Sequence, residues 1–532
     1  MFALQNMIVP AREDFIPLCN QGAIPPLFSE LPFKDPFTVF DFLSPEKGIL
    51  LESMKGPEKI SRYSFAVTEP LIEIRIKNHH IELTGGDNLS PDTGNSGKKS
   101  PLFSLDLKKT GLRPLGLLRN LTVCYRQKKS SRLPPFQGGM IGLFSYDFVR
   151  YLEDLPNTVR DDLLIPDAHL LLTDRVFAFD HSENRAFAVV SPGVRPVLLR
   201  IIRGWIGDEF APLPALSETL NPGEIYRQAE EDLGMMISMY REIPPLSADN
   251  KLPVKRNRIE IVYENSKKEY MDMVKRAKEY IHAGDIFQAN LSQRLSASIP
   301  ETAPWNIYRI LRIINPAPFS AFADFGDYQV AGSSPERLIR LTGRVAEIRP
   351  IAGTRPRGGN VSEDERLRDD LLLNEKERAE HIMLIDLERN DLGKVCGYGT
   401  VEVDELMITE FYSHVIHIVS NVKGVLSGGR DAYSLFRAAF PGGTITGVPK
   451  VRCMEIIDEL ETVSRGHYTG SIGYIGFNGD MDLNIIIRTF VIKKGTAYVQ
   501  AGAGIVADSD PEREYYETLK KAEALLSTLE RL

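Results

Sequence analysis

Apolar positions in roughly the first 240 residues come in short runs broken by turn signals. Residues 72–76 (IEIRI) and 186–190 (AFAVV) are strand-like, as is the Gly-punctuated GGMIGLFSYDFVRYLE from Gly138. Farther along, a helical period takes over. Tyr270, Val274, Ala277 and Ile281 form one apolar stripe, opened by a capping box of Ser266 and Glu269 and closed by Gly284. The following GDIFQANLSQ reads as a buried strand leading away from that helix. Ser362 with Glu365 has the form of a second capping box and predicts one long helix running past Met383. YTGSIGYIGFNGDMDLNIIIRTFVIKKGTAYVQAGAG, from Tyr468, predicts a three-stranded antiparallel meander. Its turns fall at Asn478-Gly479-Asp480 and Lys493-Lys494-Gly495. Asp510 as N-cap and Pro511 at the first helical position start a last helix.

Two stretches interrupt this pattern. Residues 84–101 (TGGDNLSPDTGNSGKKSP) read as a surface loop. Residues 242–257 (EIPPLSADNKLPVKRN) carry prolines and charges with little periodicity. They divide the 532 residues into a region 1–241, a linker 242–257 and a region 258–532. No solenoid-length repeat is present. The whole reads as a chain of mixed helix and strand, rich in antiparallel sheet.

Composition narrows the function classes. Hydrophobic residues at 43% and charged residues at 26% are ordinary for a globular protein. A formal net charge of -8 supplies no basic field for a phosphate backbone, so no nucleic-acid partner is expected. No apolar run is long enough to span a bilayer, so no membrane partner is expected either. The opening MFALQNMIVPAREDF lacks the pattern of a signal peptide, and the expected compartment is the cytoplasm. Cys19, Cys124, Cys396 and Cys453 are scattered, which argues against a disulfide framework or a zinc site.

Candidate chemistry begins with carboxylates. Glu377 and Glu380 lie three apart on the helix predicted from Ser362, and Glu514 and Glu517 three apart on the last helix. Residues at that spacing share a helix face. Four gathered carboxylates repel one another unless a cation joins them, and oxygen-only ligands suit Mg²⁺. Lys521 extends the second face with a positive charge. Taken singly, an ExxE is usually a solvated surface, and spacing alone does not say that the two pairs meet.

FPGGTITGVPK, residues 440–450, is not a phosphate loop, because Val448 follows Gly447 where Lys is needed. It remains a small hydroxyl-bearing loop or a structural turn. Gly502 to Ala507 match GxGxxA, but the next helix starts only at Pro511, so a dinucleotide site is rejected; the glycines could still offer N–H groups to a carboxylate. Arg488, among strand residues, needs an anionic partner, either structural or a substrate carboxylate. His417 in SHVIHIVS, three after His414, is by itself more often a satisfied core histidine than a catalyst.

Together NEKERAEHIMLIDLERNDLG, YSHVIHIVSNVKG, FPGGTITGVPKVRCMEIIDELE and QAGAGIVADSDPEREYYET, in this order, resemble the chorismate-utilising enzymes. That family includes anthranilate, aminodeoxychorismate, isochorismate and salicylate synthases. The likeness runs from about Ser266 to the C-terminus; ILLES (49–53) and RYSF (62–65) resemble the family's regulatory half more weakly. The resemblance implies an α+β fold, a large antiparallel β-sandwich with helices packed outside. It implies Mg²⁺ held by Glu377, Glu380, Glu514 and Glu517. It further implies chorismate gripped by Gly353, Tyr468, Arg488, Gly502, Gly504 and Lys521, with Glu336 of GSSPER, His417 and Thr444 at the reacting ring. Leu51, Glu52, Ser53, Asn315 and Pro316 correspond to a candidate tryptophan effector site.

Within the family, the water-using members place a Lys where this chain has Gln288, which favours ammonia as nucleophile. No Cys lies in a glutaminase-type nucleophile turn, so the resemblance implies a separate glutaminase subunit. Ala352 resembles anthranilate synthases. Asn290, the segment NPAPFSAF, Gly442 and Asn484 resemble aminodeoxychorismate synthase, and the expected product is 4-amino-4-deoxychorismate for 4-aminobenzoate and folate synthesis. Anthranilate with pyruvate, for tryptophan synthesis, is the alternative. A catalytically silent regulatory protein on the same fold is more remote, because both acidic pairs are intact.

Overall fold

The computed structural model describes residues 7–85, 101–125, 127–207, 210, 220–244, 259–411 and 415–532. The loop read over 84–101 and the linker 242–257 fall largely outside the described residues.

Among the described residues two twelve-stranded sheets form the body, and every pairing of strands within them is antiparallel. The first sheet contains Gly48–Glu52, Phe319–Asp324, Gln329–Ser334, Thr489–Lys493, Thr496–Ile505 and Gln288–Ser298 as consecutive neighbours. The second runs Ile351–Pro356, Val415–Val425, Val345–Ile348, Arg337–Thr342, Met481–Ile485, Ser471–Gly476, Gly139–Phe144 and onward. Between them lies a dry core to which both contribute, including Phe65, Val67, Ala321 and Val491 from one and Ile141, Leu171, Ile472 and Tyr474 from the other. Helices pack outside, as the α+β sandwich requires. Gly48–Glu52 pairs with Phe319–Asp324, and Gly139–Phe144 with Ser471–Gly476, so both sheets are built from strands on either side of the proline-rich stretch. Among the described residues no helix is long and apolar enough to cross a membrane, and all four cysteines are buried free thiols.

The helix Lys267–Ala283 has the expected capping box, and its C-cap Gly284 takes φ 84°, the left-handed conformation that glycine adopts without strain. The strand Gln288–Ser298 follows it. The helix Pro511–Leu529 starts on Asp510, whose side chain accepts from the Arg513 N–H.

Two expectations need correction. The long helix predicted from Ser362 is two helices, Val361–Leu373 and Glu375–Gly393. Its start is capped by Asn360, not Ser362, and Asn374 interrupts it by accepting from the Glu377 N–H. An asparagine side chain competes for backbone donors and so favours caps over helix interiors. Glu377 and Glu380 therefore stand on the first turns of the second helix. The expected meander is two hairpins in different sheets: Ser471–Gly476 with Met481–Ile485, and Thr489–Lys493 with Thr496–Ile505. The chain crosses between the sheets at Ile486, Ile487 and Arg488. Alternation of side chains marks a strand but does not name its neighbour.

Candidate active site

That crossing places Arg488 within electrostatic reach of Glu336 and His417, at the candidate cleft. Its backbone takes φ 51°, unusual for a residue with a side chain, and its carbonyl accepts from the Ser333 N–H at 3.1 Å. Burial lowers the Arg488 pKa, and the opposing charge is Glu336. Glu336 follows the strand Gln329–Ser334 and is itself buried. Burial pushes its carboxyl up to about 7, against the Thr444 hydrogen bond and the charges of Arg488 and Lys521. Thr444, on the short 3₁₀ turn Gly443–Ile445, donates to Glu336 at 2.9 Å. The hydroxyl-bearing loop is thus tied to a carboxyl.

On the other side, His417 of Val415–Val425 stands with Nδ1 3.3 Å from the Gly353 carbonyl. Burial, with Arg488 adding repulsion, holds its pKa down at about 4, so the ring is neutral at neutral pH. Gly353 takes φ +66°, and a Cβ there would stand 2.9 Å from Glu377 Oε2. Only glycine fits this close approach. Glu377 also accepts from Arg355 at 3.2 Å.

The second acidic helix is linked to the first through the sheet. Gln288 donates its amide to Glu380 at 3.2 Å, and a Cβ on Gly504 would lie 2.5 Å from the same nitrogen. A Cβ on Gly502 would meet Asn290 Oδ1 at 2.6 Å and Tyr468 OH at 2.8 Å. Lys521 donates to the Gly502 carbonyl at 3.1 Å and pairs with Glu517 at 2.8 Å. Glu514 is buried one turn earlier, whereas Glu517 and Lys521 are exposed. Among the described residues, no three His, Cys, Asp or Glu side chains are close enough together to hold a metal ion.

Residues 107–527 match the family described as chorismate binding enzyme. This chain belongs to that family. The chorismate-binding enzyme is 41% identical over 488 residues to anthranilate synthase component 1 of Acetivibrio thermocellus, covering 90% of each chain. It is 39% identical over 483 residues to aminodeoxychorismate synthase component 1 of Bacillus subtilis (strain 168), covering 91% of each. Its fold is similar to the crystal structure of anthranilate synthase component I from Streptococcus pneumoniae TIGR4, with TM-score 0.70 and 33% identity, over 88% of this chain and 92% of that one.

In this chorismate-binding enzyme the two segments of the expected effector site lie side by side: the Ser53 hydroxyl donates to the Pro318 carbonyl at 3.1 Å and the Met54 N–H to the Ala317 carbonyl at 3.2 Å. Leu51, Glu52 and Ser53 line a cavity between the sheets with Phe319, Arg337, Tyr474 and Asn484. Both Glu52 oxygens are already engaged, one by Arg312 at 2.9 Å and one by the Tyr308 hydroxyl at 2.5 Å. The Asn315 amide donates to the Ser333 hydroxyl at 3.3 Å.

Sequence reasoning passed over Glu388, buried eight residues beyond Glu380. A Cβ on Gly443 would stand 3.5 Å from it. Burial first, then the nearby Asp391 charge, raises its pKa well above the usual carboxylate range. Its helical spacing from Glu377 and Glu380 was a usable signal, but only burial separates it from a solvated glutamate.

Proposed function

We propose that this enzyme aminates chorismate with ammonia from a separate glutaminase subunit, giving 4-amino-4-deoxychorismate. Gln288 carries the reading. An amide cannot take a proton from water as the Lys of the water-using relatives can, and here it is held by Glu380 against Gly504. Ammonia needs no such base. Two relatives bear "component 1" in their names, which supports a partner component for this chain. Of the positions that lean toward the 4-amino product, Asn290 lies against Gly502, and Gly442 precedes the turn that carries Thr444. Phe319 and Asn484 instead line the Leu51 cavity, the place for a tryptophan effector under this reading.

The carboxylates fit Mg²⁺ by donor chemistry: oxygen atoms only, from two helices that reach one cleft through Gln288–Gly504 and Lys521–Gly502. Glu377, Glu380, Glu514 and Glu517 would hold it. Bound there, Mg²⁺ would supply the positive charge that fixes the substrate's ring carboxylate. Arg488, the Tyr468 hydroxyl and the Gly502–Gly504 backbone would hold and orient the dianion. Protonated Glu336, steadied by Thr444, would donate to the departing ring hydroxyl. The ring C–O bond breaks as water leaves, and the ammonia nitrogen forms the new bond to a ring carbon. Neutral His417 would border the ring without adding charge.

Purified chain, chorismate, Mg²⁺ and ammonium salt are expected to give 4-aminobenzoate only when the pyridoxal-phosphate lyase acting on aminodeoxychorismate is added. Anthranilate and pyruvate formed without that lyase would establish the second reading. That reading is favoured by Ala352, which is buried beside Gly353 and offers no amine to the ring.

The acid role has a pH signature. Turnover at fixed free ammonia is expected to fall as pH rises through about 7, where Glu336 loses its proton. The Thr444 bond favours the ionised form, so Thr444→Val should move this limb to higher pH. A limb unmoved in the variant's pH–rate profile would separate Thr444 from the acid.

A further inference from the structure

We propose that Arg465, braced by Glu461, is the positioning residue that sets the separation between the Thr444–Glu336 end of the site and the Tyr468–Gly502 end. The inference rests on the chorismate-aminating reading above. This one guanidinium ties its own segment, through Glu461 and Thr469, to Ile445 and to the distant Asn290. Glu461 takes it in a fork, Nε to Oε2 at 3.0 Å and Nη2 to Oε1 at 2.8 Å. Nη1 donates to the Ile445 carbonyl at 2.9 Å and to the Thr469 hydroxyl at 3.2 Å. Nη2 donates to the Asn290 carbonyl at 2.6 Å. Every one of its five N–H groups therefore has an acceptor.

Each acceptor other than Glu461 is, or is next to, a residue of the cleft. Ile445 follows Thr444, Thr469 follows Tyr468, and Asn290 is the residue whose side chain faces Gly502. The guanidinium also stands 5.6 Å from the Tyr468 ring centre and 4.9 Å from that of Tyr146. Glu461 extends the hub: its Oε1 accepts from the Ser292 N–H at 2.8 Å and hydroxyl at 2.7 Å, and Gln500 donates to that hydroxyl at 2.9 Å. Gln500 lies two residues before Gly502. Arg465, Glu461, Ser292 and Gln500 are all buried.

Stability alone does not account for this arrangement. A buried ion pair returns little net stability, and apolar residues of similar volume often replace one without loss. What apolar residues cannot supply is a rigid planar fork that holds two backbone carbonyls, a hydroxyl and a carboxylate at set distances and angles. Neither Arg465 nor Glu461 touches the cleft itself, so the role is positioning. Misplacement of reacting groups by about 1 Å can cost on the order of 100-fold in rate.

The test compares the parent with Arg465→Lys and with the double variant Arg465→Met/Glu461→Leu, measuring melting, kcat and KM for chorismate. The double variant is expected to keep its fold and melting temperature and to lose about 100-fold in kcat, with a smaller change in KM. Arg465→Lys retains the charge opposite Glu461 but not the fork, and should lose about tenfold in kcat. A folded double variant with the parent's kcat overturns the positioning role. So does an Arg465→Lys chain that keeps full turnover, or one that fails to fold, since the role would then be structural. Failure of the parent itself to form an aminated product would instead count against the functional reading.

Discussion

Glu336→Gln is expected to lower turnover by about 10²- to 10⁴-fold, the usual range for a lost general acid, while KM for chorismate changes little. The glutamine keeps the size of the side chain and can still accept from Thr444, but it has no proton to give to a departing hydroxyl. The fold should not suffer. Burial raises the Glu336 pKa from its ordinary 4.5 to about 7, so the folded state holds the proton more tightly than the unfolded chain. Stability contributed by this group is complete below about 4.5 and is lost as pH rises to about 7. Glutamine carries no charge to bury, so at pH 8 the variant should melt no lower than the parent. Steady-state kinetics and thermal melts at pH 8 check both statements. A variant that melts normally and retains kcat would remove Glu336 from the chemistry.

Glu514→Gln is expected to abolish Mg²⁺-dependent turnover in the working concentration range. Outer-sphere partners of a metal typically account for 10–100-fold in affinity, so loss of a ligand charge should weaken Mg²⁺ by at least about 100-fold. Glu514 is the buried member of its pair, on the first turn of Pro511–Leu529. Titration of Mg²⁺ by calorimetry reads binding directly, and titration of turnover reads its consequence. Near-normal values in both would sink the metal assignment, whatever the product proves to be.

The helix Lys267–Ala283 and the last helix were legible because their signals are local. A capping box, an apolar stripe, and an Asp-Pro start each lie within a few residues of one another. The break at Asn374 was less legible, since an asparagine in a helical run is compatible with either a continuous helix or a cap. The two hairpins that looked like one meander differ only in which sheet they join. Their turns were correct, and their neighbours lay hundreds of residues away in the chain, at Gly139–Phe144 and Gln288–Ser298.

A series of motifs in one order is enough to name the family from the chain alone, and it supplies the residue types available for chemistry: two acidic pairs, Arg488, Thr444, His417 and the glycines. Tertiary structure alone decided which of them meet. It joined Glu336 to Thr444, drew Gln288 between Glu380 and Gly504, and brought Pro318 against Ser53. It also turned Arg465 into a hub of five hydrogen bonds. The reason is physical. Propensity and capping act over a few residues, whereas burial, raised carboxyl pKa values and close glycine contacts arise only when segments far apart in the chain share one dry interior.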